Sequence, residues 1–332
     1  MGRHVRQRRA AVVNPARTQG GAALLMAMIT VALVATLAAA GLWQQWRSVE
    51  IETAERARTQ ASWILTGALD WARLILREDA RSGGADHLAE PWAVPLQEAR
   101  LSTFLAADRD VGTAGTDVDN VFLSGEIVDL QARLNIYNLV EAGRVSESGL
   151  RAFRRLFETL GLPESELTLL AENLRQASEI GTDGGSSTAP LMPLNARQLR
   201  WLGLAPETVE ALQPHVAVLP ARTPVNLNTA SASVIYAAVG GIDLSQAQAL
   251  VAARESRPFR TLADASRVLG GRDQGLAGGM AGVATRFFEV RGRLRLDDSV
   301  VEERSLIQRD GLNVRALQRE RSVVAAGSGS GR

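Results

Sequence analysis

A pair of glycines in front of an apolar segment is the first feature of this sequence that could take part in chemistry, as a site of proteolytic processing. Gly20 and Gly21 stand directly before Ala22, and no charged side chain occurs between Ala22 and Trp46. The apolar region of a cleaved secretory signal has about 7 to 15 residues, and its small-residue cleavage site follows that region. Here the small residues come first. A protease that cuts after Gly21, or alternatively after Gly20, would leave the apolar segment as the new N-terminus, so we predict a processing site at Gly20, Gly21 and Ala22.

The segment from Ala22 to Trp46 has the length and composition of a membrane span. A transmembrane helix needs about 20 apolar residues, and this segment is long enough. The segment follows five arginines and no acidic residue: Arg3, Arg6, Arg8, Arg9 and Arg17. Positive residues that precede a span stay on the cytoplasmic side. We therefore predict a single-pass protein with its N-terminus in the cytoplasm and its C-terminal part across the membrane.

Catalytic side chains are scarce in this sequence. The chain has three histidines, His4, His87 and His215, and none stands in a Ser/His/Asp spacing that predicts nucleophilic catalysis. The glycine-rich stretch GGMAG at 278–282 lacks a preceding strand pattern and a phosphate-binding lysine, so it does not predict a nucleotide site. We predict no catalytic residue and no enzymatic activity.

A cluster of aspartates is the first candidate for metal binding. The stretch DRDVGTAGTDVDN places Asp108, Asp110, Asp117 and Asp119 close together. Its spacing fails that of an EF-hand at the third ligand, and its glycine is in the wrong place. The chain has no cysteine, which excludes thiolate ligands and disulfides. We interpret the stretch as a solvated loop and predict no metal site.

Hydrophobic periodicity predicts the elements around these residues. Beyond the span, apolar residues recur three or four apart to about Asp79, and Gly83 with Gly84 end this helical pattern. Alternation between Val121 and Ile136 indicates a strand, and strand character returns from ATRFFEVRGRL onwards. Between these strands the pattern predicts helices alone, over 147–160, 164–178, 195–203, 206–213, 229–239, 244–255 and 261–269.

These elements predict an α+β fold. A long N-terminal helix would lie on a small antiparallel sheet, into which a large all-α domain is inserted. The predicted boundaries are a leader at 1–21, a transmembrane helix at 22–46, a helix and first strands at 47–145, the inserted helical domain at 146–280, returning strands at 281–319 and a Gly/Ser-rich disordered tail at 320–332.

The glycine pair in front of an apolar helix resembles the leader of type IV pilins and type II secretion pseudopilins. In those proteins a membrane peptidase cuts after glycine and N-methylates the next residue, which implies Ala22 here. Most pilins carry a glutamate at the fifth mature position, where this chain has Met26, or Leu25 if the cut follows Gly20. A carboxylate in hydrocarbon is costly unless it is paired, so a subunit without a neighbour above it is better without one. Met26 therefore indicates a position at the tip of a filament.

The order of motifs from Gln19 to about Leu317 resembles the family of general secretion pathway protein K, the large minor pseudopilins of type II secretion. The motifs that carry the resemblance are EPWAVPL, EIVDLQARLNIYNLV, LPARTPVNLNTASASVIYAAV, RPFRTLADA and SLIQRDGLNVRAL. The resemblance implies a pilin-like fold whose inserted domain is of the helix-hairpin-helix or SAM-like type. It also implies a Gram-negative inner-membrane protein with a periplasmic C-terminal domain.

In that family the protein caps the pseudopilus tip and helps to start its assembly, which drives the export of folded proteins across the outer membrane. The resemblance implies five kinds of partner: minor pseudopilins I and J, the major pseudopilin, the prepilin peptidase and the inner-membrane assembly platform. A minor pilin of a type IV pilus is the alternative within the same class.

One departure from the family concerns calcium. Family members usually have an aspartate-rich segment associated with calcium, and the corresponding stretch here, ASEIGTDGGSSTAPLMPLN, has only Glu179 and Asp183. Calcium takes six to eight oxygen ligands, several of them usually carboxylate. The family resemblance allows calcium, but these residues match it poorly, so we predict no cofactor.

The alternative from another class is a membrane-anchored DNA receptor. The stretch VNLNTASASVIYAAVGGIDLSQAQALVAARES resembles a helix-hairpin-helix unit with Gly240 and Gly241 in the hairpin. In DNA-binding members, hairpin N–H groups and basic side chains hold phosphates. Asp243 would repel a phosphate here, and without the five leader arginines the 37 basic residues fall to 32 against 36 acidic residues, a net charge of −4. We therefore predict that the protein does not bind nucleic acid, although Arg254, Arg257 and Arg260 cluster nearby.

Overall fold

The computed structural model describes residues 20–102, 120–179, 189–271, 275–296 and 299–325. Three predicted features lie outside the described residues. They are residues 1–19 of the leader, with His4; the four aspartates of the 108–119 stretch; and Asp183. The described chain forms two compact units, one ending at Gln60 and the other beginning at Ala61. One helix, α1 (Gly20–Ser82), contributes residues to both units.

Helix α1 ends where the sequence predicts. Gly83 and Gly84 have φ angles of 64° and 118°, a left-handed conformation that glycine adopts at low cost and that ends a helix. In the first unit every side chain from Gly21 to Arg56 is exposed. This part of α1 contains an 18-residue window with a mean hydropathy of 2.4, none of which is buried.

The second unit contains the strands. In chain order they are β1 (Leu96–Arg100), β2 (Val121–Asp129), β3 (Leu134–Asn135), β4 (Val140–Glu141), β5 (Arg144–Val145), β6 (Val216–Ala217), β7 (Val225–Asn226), β8 (Ala281–Gly282), β9 (Phe287–Leu296), β10 (Ser299–Asp310) and β11 (Asn313–Ala325). Five of them form an antiparallel sheet in the order β1-β2-β9-β10-β11.

The last turns of α1 cover one face of this sheet. Leu65, Leu69 and Leu76 recur along α1 and are at most 5% exposed. Beneath them, the rings of Trp92 and Phe288 meet edge to face, with centroids 5.2 Å apart. Burial of such side chains stabilises each by about 1.5 to 3 kcal/mol relative to exposure, so this half of α1 is held by the sheet.

The helices between β5 and β8 form a separate hydrophobic core. They are α2 (Glu147–Leu160), α3 (Glu164–Glu179), α4 (Pro206–Leu212), α5 (Ala232–Ala238), α6 (Leu244–Ser256) and α7 (Leu262–Val268), with a 3-10 turn at Ala196–Leu202. Further 3-10 turns precede β5, at Pro91–Ala93, Leu130–Ala132 and Ile136–Leu139. Phe153, Leu156 and Leu170 lie at the centre of this core with no exposed surface. The predicted α+β class is confirmed, with the helices inserted between β2 and β9 of the main sheet.

The structure corrects three details of the sequence prediction. Short strands interrupt the predicted all-helical stretch, because β3 pairs with β6 and β7 pairs with β8 in two-residue parallel ladders. Helix α5 starts at Ala232 and not at 229, because the Ser231 side chain caps it by accepting from the N–H of Val234. The predicted disordered tail begins too early, because β11 continues to Ala325 through its pairing with β10. Residues 326–332 lie outside the described residues.

Candidate functional site

The predicted processing residues lie in the first turn of α1. Gly20 begins the helix, and among the described residues no atom beyond the helix's own backbone lies within 4 Å of the position that a Cβ on Gly21 would take. Ala22 is exposed, as is Met26, of which 70% of the surface is accessible. The structure thus brings Gly20, Gly21, Ala22 and Met26 together on one accessible helix end.

The two threonine side chains in the apolar part of α1 form hydrogen bonds within the helix. The Thr30 hydroxyl donates to the carbonyl oxygens of Met26 and Ala27, at 3.1 and 2.9 Å, and the Thr36 hydroxyl donates to that of Leu33 at 2.9 Å. A hydroxyl that is paired in this way adds little cost in hydrocarbon. No carboxylate occurs in the described helix before Glu50. From Ala22 to Trp43 this segment can therefore lie in lipid or against another apolar helix, since both of its threonine hydroxyls are paired.

Two tryptophans mark the end of the apolar segment. Trp43 and Trp46 are 67% and 65% exposed, and Arg47 follows them directly. Tryptophan is enriched at the boundary between hydrocarbon and water, where its ring is amphipathic. From Ala22 to Trp43 the helical rise amounts to about 32 Å, close to the thickness of a bilayer core. The segment therefore has the proportions of one membrane crossing.

A groove runs beside α1 in the second unit. It has a volume of about 540 Å³ and an almost entirely apolar lining. Helix α1 forms one wall through Ile64, Gly67 and Trp71, and the chain from Pro91 to Leu96 forms the other. Such a groove at the side of an exposed helix is a surface on which another apolar molecule can pack.

A buried polar junction joins the sheet to the helical domain. Asp129 at the end of β2 accepts through one oxygen from Asn226 Nδ2, Thr229 Oγ1 and Thr285 Oγ1, at 3.0, 2.6 and 2.7 Å. Its other oxygen accepts from the N–H of Gln131 at 2.7 Å. Burial raises the pKa of Asp129 to about 6, against the opposing effect of these donors. The carboxylate therefore joins three segments of chain at one point, 129–131, 226–229 and the segment at Thr285.

Arg309 extends this junction to the end of α1. Its guanidinium pairs with the carboxylates of Asp79 and Asp86, and it donates to the carbonyl oxygen of Thr285 at 2.8 Å. Burial raises the pKa of both Asp79 and Asp86, while Arg309 acts in the opposite direction. The arginine side chain is only 10% exposed, so the three groups form a buried ionic cluster.

The same cluster is the place where a cation could be considered. Carboxylate oxygens of Asp79, Asp86 and Glu90 lie within 4.8 Å of one another. Arg309 already supplies a positive charge to two of them, and Glu90 accepts from the Trp92 indole N–H at 2.7 Å. The donors that surround these oxygens serve a structural cluster and do not fit a metal site.

The calcium implied by the family resemblance also finds little support in the described residues. Glu179 Oε1 accepts from Arg175 at 2.5 Å, and the same arginine pairs with Glu172. The other carboxylate of the predicted stretch, Asp183, lies outside the described residues. The described part of the stretch therefore supplies one carboxylate, which is already engaged by an arginine.

The predicted hairpin is present, but its polar groups face other parts of the chain. Gly240 and Gly241 join α5 to α6, and Gly241 has a φ angle of 75°. Asp243 caps α6 and accepts from the N–H of Gln246 at 2.8 Å, where an anionic ligand would bind a helix N-terminus. Arg155 donates to hairpin carbonyl oxygens from the other side. A phosphate would therefore meet a carboxylate here.

The basic residues near the hairpin are partly used inside the protein. Arg254 donates to the carbonyl oxygens of Leu227 and Ala230, both at 2.6 Å. Burial lowers the pKa of Arg254, because removal from water disfavours the charged guanidinium. Of the predicted basic cluster, only Arg257 and Arg260 remain on the exposed surface. The structure therefore separates the three arginines that the sequence groups together.

The two described histidines, His87 and His215, lack the ring contacts of a catalytic triad. His215 Nδ1 lies 3.4 Å from the Ser233 hydroxyl, and its pKa is lowered by burial and by the nearby Arg133. A Ser/His/Asp triad needs a carboxylate at the second ring nitrogen, whereas an arginine is the charged group beside this ring. The N–H of His87 donates to Glu90 in the turn that follows α1. These positions give neither histidine the surroundings of a general base.

The buried junction is the part of the site that sequence reasoning misses. Asp129, Asn226, Thr285 and Arg309 are far apart in the sequence, and no spacing connects them. The available signal is modest: Asp129 interrupts an apolar run, and Asn226 stands in the apolar stretch VNLN. A polar residue within an apolar pattern indicates a buried hydrogen-bonded group, because an unpaired one would be costly.

Comparison with known proteins adds independent information on this chain. Two family models match it, both described as type II secretion system protein K, over residues 132–221 and 225–285. A protein from Pseudomonas aeruginosa named type II secretion system protein K is 29% identical over 92% of this chain and 93% of its own length. A protein of the same name from Pectobacterium carotovorum is 25% identical over 91% of this chain and 96% of its own length.

A solved structure resembles the fold. It is a chain of the crystal structure of the GspK-GspI-GspJ complex from the type 2 secretion system of enterotoxigenic Escherichia coli. The TM-score is 0.60 at 17% identity, and the match covers 81% of this chain and 98% of the other. The arrangement of long helix, antiparallel sheet and helical domain is therefore shared.

Proposed function

The chain belongs to the type II secretion system protein K family, and we propose that this minor pseudopilin caps the tip of the pseudopilus and helps to start its assembly. Assembly of the pseudopilus then exports folded proteins across the outer membrane. The observation that carries the proposal is the contrast within α1, whose first part is apolar and exposed while its last turns are buried on the sheet.

We propose that the first part of α1 serves in succession as export signal, membrane anchor and filament stem. The predicted leader holds the precursor in the inner membrane, with the N-terminus in the cytoplasm and the C-terminal domain in the periplasm. Cleavage after Gly21 by the prepilin peptidase gives Ala22 as the methylated N-terminus. The helix then leaves the bilayer when it packs against helices of other pseudopilins. The alanine-rich surface between Ala22 and Gly41 supports this step, because small residues allow close helix contact.

The partners of this step follow from the relatives. The structural relative is part of a complex with GspI and GspJ, and we propose the corresponding minor pseudopilins I and J as partners of this chain. The major pseudopilin and the inner-membrane assembly platform would meet the complex once it forms. Met26 supports a place at the tip, since no carboxylate is available there to pair with the N-terminal amine of a subunit above.

The first experiment is a mass measurement of the N-terminus. The membrane-extracted protein would be expressed with and without its prepilin peptidase and analysed by intact mass and N-terminal peptides. We expect a chain that begins at Ala22 with a methylated amine only when the peptidase is present. An uncut chain in both samples would contradict the proposed processing and leave α1 as a plain anchor.

The second experiment concerns the tip position. Met26→Glu restores the carboxylate that most pilins carry, and Met28→Glu is a matched control on the same exposed helix. If Met26 marks the tip, we expect Met26→Glu to disturb capping, measured as a change in pseudopilus length and in the secretion of a folded substrate. A variant that caps and secretes normally would contradict this role for position 26.

The DNA-receptor alternative has less support from the geometry. Asp243 occupies the N-terminus of α6, and Arg254 is engaged inside the protein. We therefore propose that the helical domain serves as bulk at the tip and does not bind nucleic acid. Titration of the purified chain with labelled duplex DNA at low salt checks this, and binding that weakens steeply as salt increases would favour the receptor instead.

The proposed function requires neither catalysis nor a cofactor. Mechanical assembly needs apolar surfaces and a rigid body, both of which the described residues supply. The predicted absence of catalytic residues and of bound calcium stays a prediction. Calorimetric titration of the purified chain with calcium tests the predicted absence of a calcium site, and a saturable heat of binding would contradict that prediction.

A further inference from the structure

The groove beside α1 owes its shape to three residues without side chains. Gly67 lies on the exposed face of α1, while Gly125 on β2 and Gly292 on β9 are paired with each other across the sheet below. A Cβ on Gly125 would approach the carbonyl oxygen of Arg291 to 2.9 Å, so this glycine is required by the fold. Among the described residues, a Cβ on Gly67 would meet no atom within 4 Å beyond the backbone of its own helix. No contact within the described part of the chain therefore requires glycine at position 67.

Glycine at an exposed helix position is costly by itself. It destabilises a helix by about 1 kcal/mol relative to alanine, because the unfolded chain has more freedom to lose. Large apolar residues stand one turn on either side of it, with Trp63 74% exposed and Trp71 45% exposed. The two rings and the glycine between them form a notch on the helix surface that opens into the groove.

The lining of the groove limits what can occupy it. The polar residues of the lining are Ser124, Glu126 and Arg291, and the last two pair with each other at 2.7 Å. A small-molecule site would bring several polar groups together to orient its ligand, and this groove has no such set in its described lining. The groove follows α1 from Ile64 to Ile75, which corresponds to about three helical turns or 17 Å. This is the length over which two crossing helices contact each other.

We propose that the groove receives an α-helix of a partner minor pseudopilin, which inserts a bulky apolar side chain into the notch at Gly67. This inference rests on the proposed function, in which α1 is the element that packs against partner helices. The groove lies along that same helix, and its exposed tryptophans extend the apolar contact beyond the segment that starts in the membrane. Glycine at position 67 then lets the partner helix approach α1 closely, because a larger residue would occupy the space of the incoming side chain.

The experiment compares two additions of bulk on the same helix. Gly67→Leu fills the notch, whereas Asp70→Leu adds the same side chain at an exposed position that does not line the groove. The full chain would be coexpressed with the partner minor pseudopilins of its own system, and the copurified partner quantified from detergent extracts. We expect Gly67→Leu to lower the amount of copurified partner about tenfold and Asp70→Leu to leave it close to the wild-type amount.

A third variant separates loss of contact from loss of folding. Gly67→Ala adds one methyl group in open space, so it should raise the melting temperature of the chain while it weakens partner binding. Partner capture that equals the wild-type amount in both Gly67 variants would overturn the groove inference and leave the proposed function intact. A wild-type chain that captures no partner would contradict the proposed function instead.

Cross-linking identifies the occupant. A photoreactive amino acid at Val94, which is 68% exposed on the wall opposite α1, should form a cross-link to an N-terminal helix of a partner pseudopilin. Cross-links to the globular part of a partner, to a second copy of this chain or to a secreted substrate would each contradict the proposed occupant. The wild-type chain, which keeps Val94, is irradiated in the same way and serves as the control.

Discussion

Leu33 and Phe288 are both large apolar residues, yet the protein uses them in opposite ways. Leu33 lies on the first part of α1 and is 58% exposed, whereas Phe288 lies beneath the last part of the same helix and is fully buried. The first unit has apolar side chains on all sides of the helix. In the second unit they recur every third or fourth residue, as at Leu65, Leu69 and Leu76.

This difference separates what stabilises the chain from what binds other molecules. A helix that is apolar on all sides has no inward face, so its surface is satisfied only by lipid or by other helices. A helix with one apolar stripe can bury that stripe on a sheet of the same chain. Substitutions of buried apolar residues in the second unit should therefore affect folding, whereas substitutions of exposed apolar residues along α1 should affect assembly.

The largest effect is expected for the buried arginine. Arg309→Ala leaves the carboxylates of Asp79 and Asp86 without their cation, and breaking a buried pair in this way costs about 3 to 5 kcal/mol. Arg56→Ala in the first unit breaks a pair with Glu52 whose side chains are 75% and 62% exposed, and should cost at most about 0.5 kcal/mol. Urea unfolding in detergent, followed by near-ultraviolet circular dichroism, measures both. Equal costs would contradict the distinction between the two units.

A similar contrast is expected for apolar truncation. Phe288→Ala removes a ring that contacts Trp92 and lies 4.8 Å from the Arg309 guanidinium, so we expect a loss of about 3 to 5 kcal/mol. Leu33→Ala should not change the unfolding free energy of the second unit. The same unfolding measurement compares the two variants, and a clear loss for Leu33→Ala would mean that the first part of α1 contributes to the stability of the second unit.

The local elements could be predicted from the sequence, because local signals specify them. The helices between Glu147 and Val268 lie close to their predicted bounds, since capping or turn residues such as Ser146, Gly161 and Asp243 mark their ends in the sequence. The end of α1 at Gly83 follows from glycine conformation in the same way. Two-residue strands such as β3 carry no periodicity of their own and depend on a partner segment far along the chain, so they could not be predicted.

The residues of the candidate site also fall into two groups, those specified by local sequence and those that depend on contacts between distant segments. The predicted processing residues and Met26 depend only on local sequence, because they stand at fixed distances from the apolar segment, and their roles stay predictions. The junction of Asp129, Asn226 and Thr285 could not, because it exists only after the sheet and the helical domain have packed together. The groove at Gly67 is intermediate: glycine in a helical pattern is visible in the sequence, while the open space above it is visible only in the structure.

The next effect concerns the pH dependence of stability. Burial raises the pKa of Asp129 from 3.8 to about 6, so the folded state binds this proton more tightly than the unfolded state. The resulting stability is fully present below about pH 4 and is lost as the pH rises through 6, a change of about 3 kcal/mol. Asp79 and Asp86, whose pKa values are also raised, act with the same sign.

Asp129→Asn removes the titrating group and should flatten the pH dependence of unfolding between pH 4 and 6 without abolishing it. Glu52→Gln in the exposed first unit is the matched control for the loss of one carboxylate. Unfolding free energies measured at half-unit pH steps test both variants. A curve for Asp129→Asn that is parallel to that of the wild type would show that Asp129 does not titrate in this range.

The smallest effect separates a cap inside the second unit from an ion pair in the first. Asp243 accepts from the N–H of Gln246 at 2.8 Å and closes the first turn of α6, and removing such a cap costs about 1 kcal/mol. Glu55→Ala breaks an exposed pair with Arg58 and should cost no more than about 0.5 kcal/mol. Because α6 belongs to the hydrophobic core of the helical domain, the loss of its cap should appear in the unfolding of the second unit, and Glu55→Ala should not. A larger loss for Glu55→Ala than for Asp243→Ala would mean that contacts in the first part of α1 stabilise the folded body.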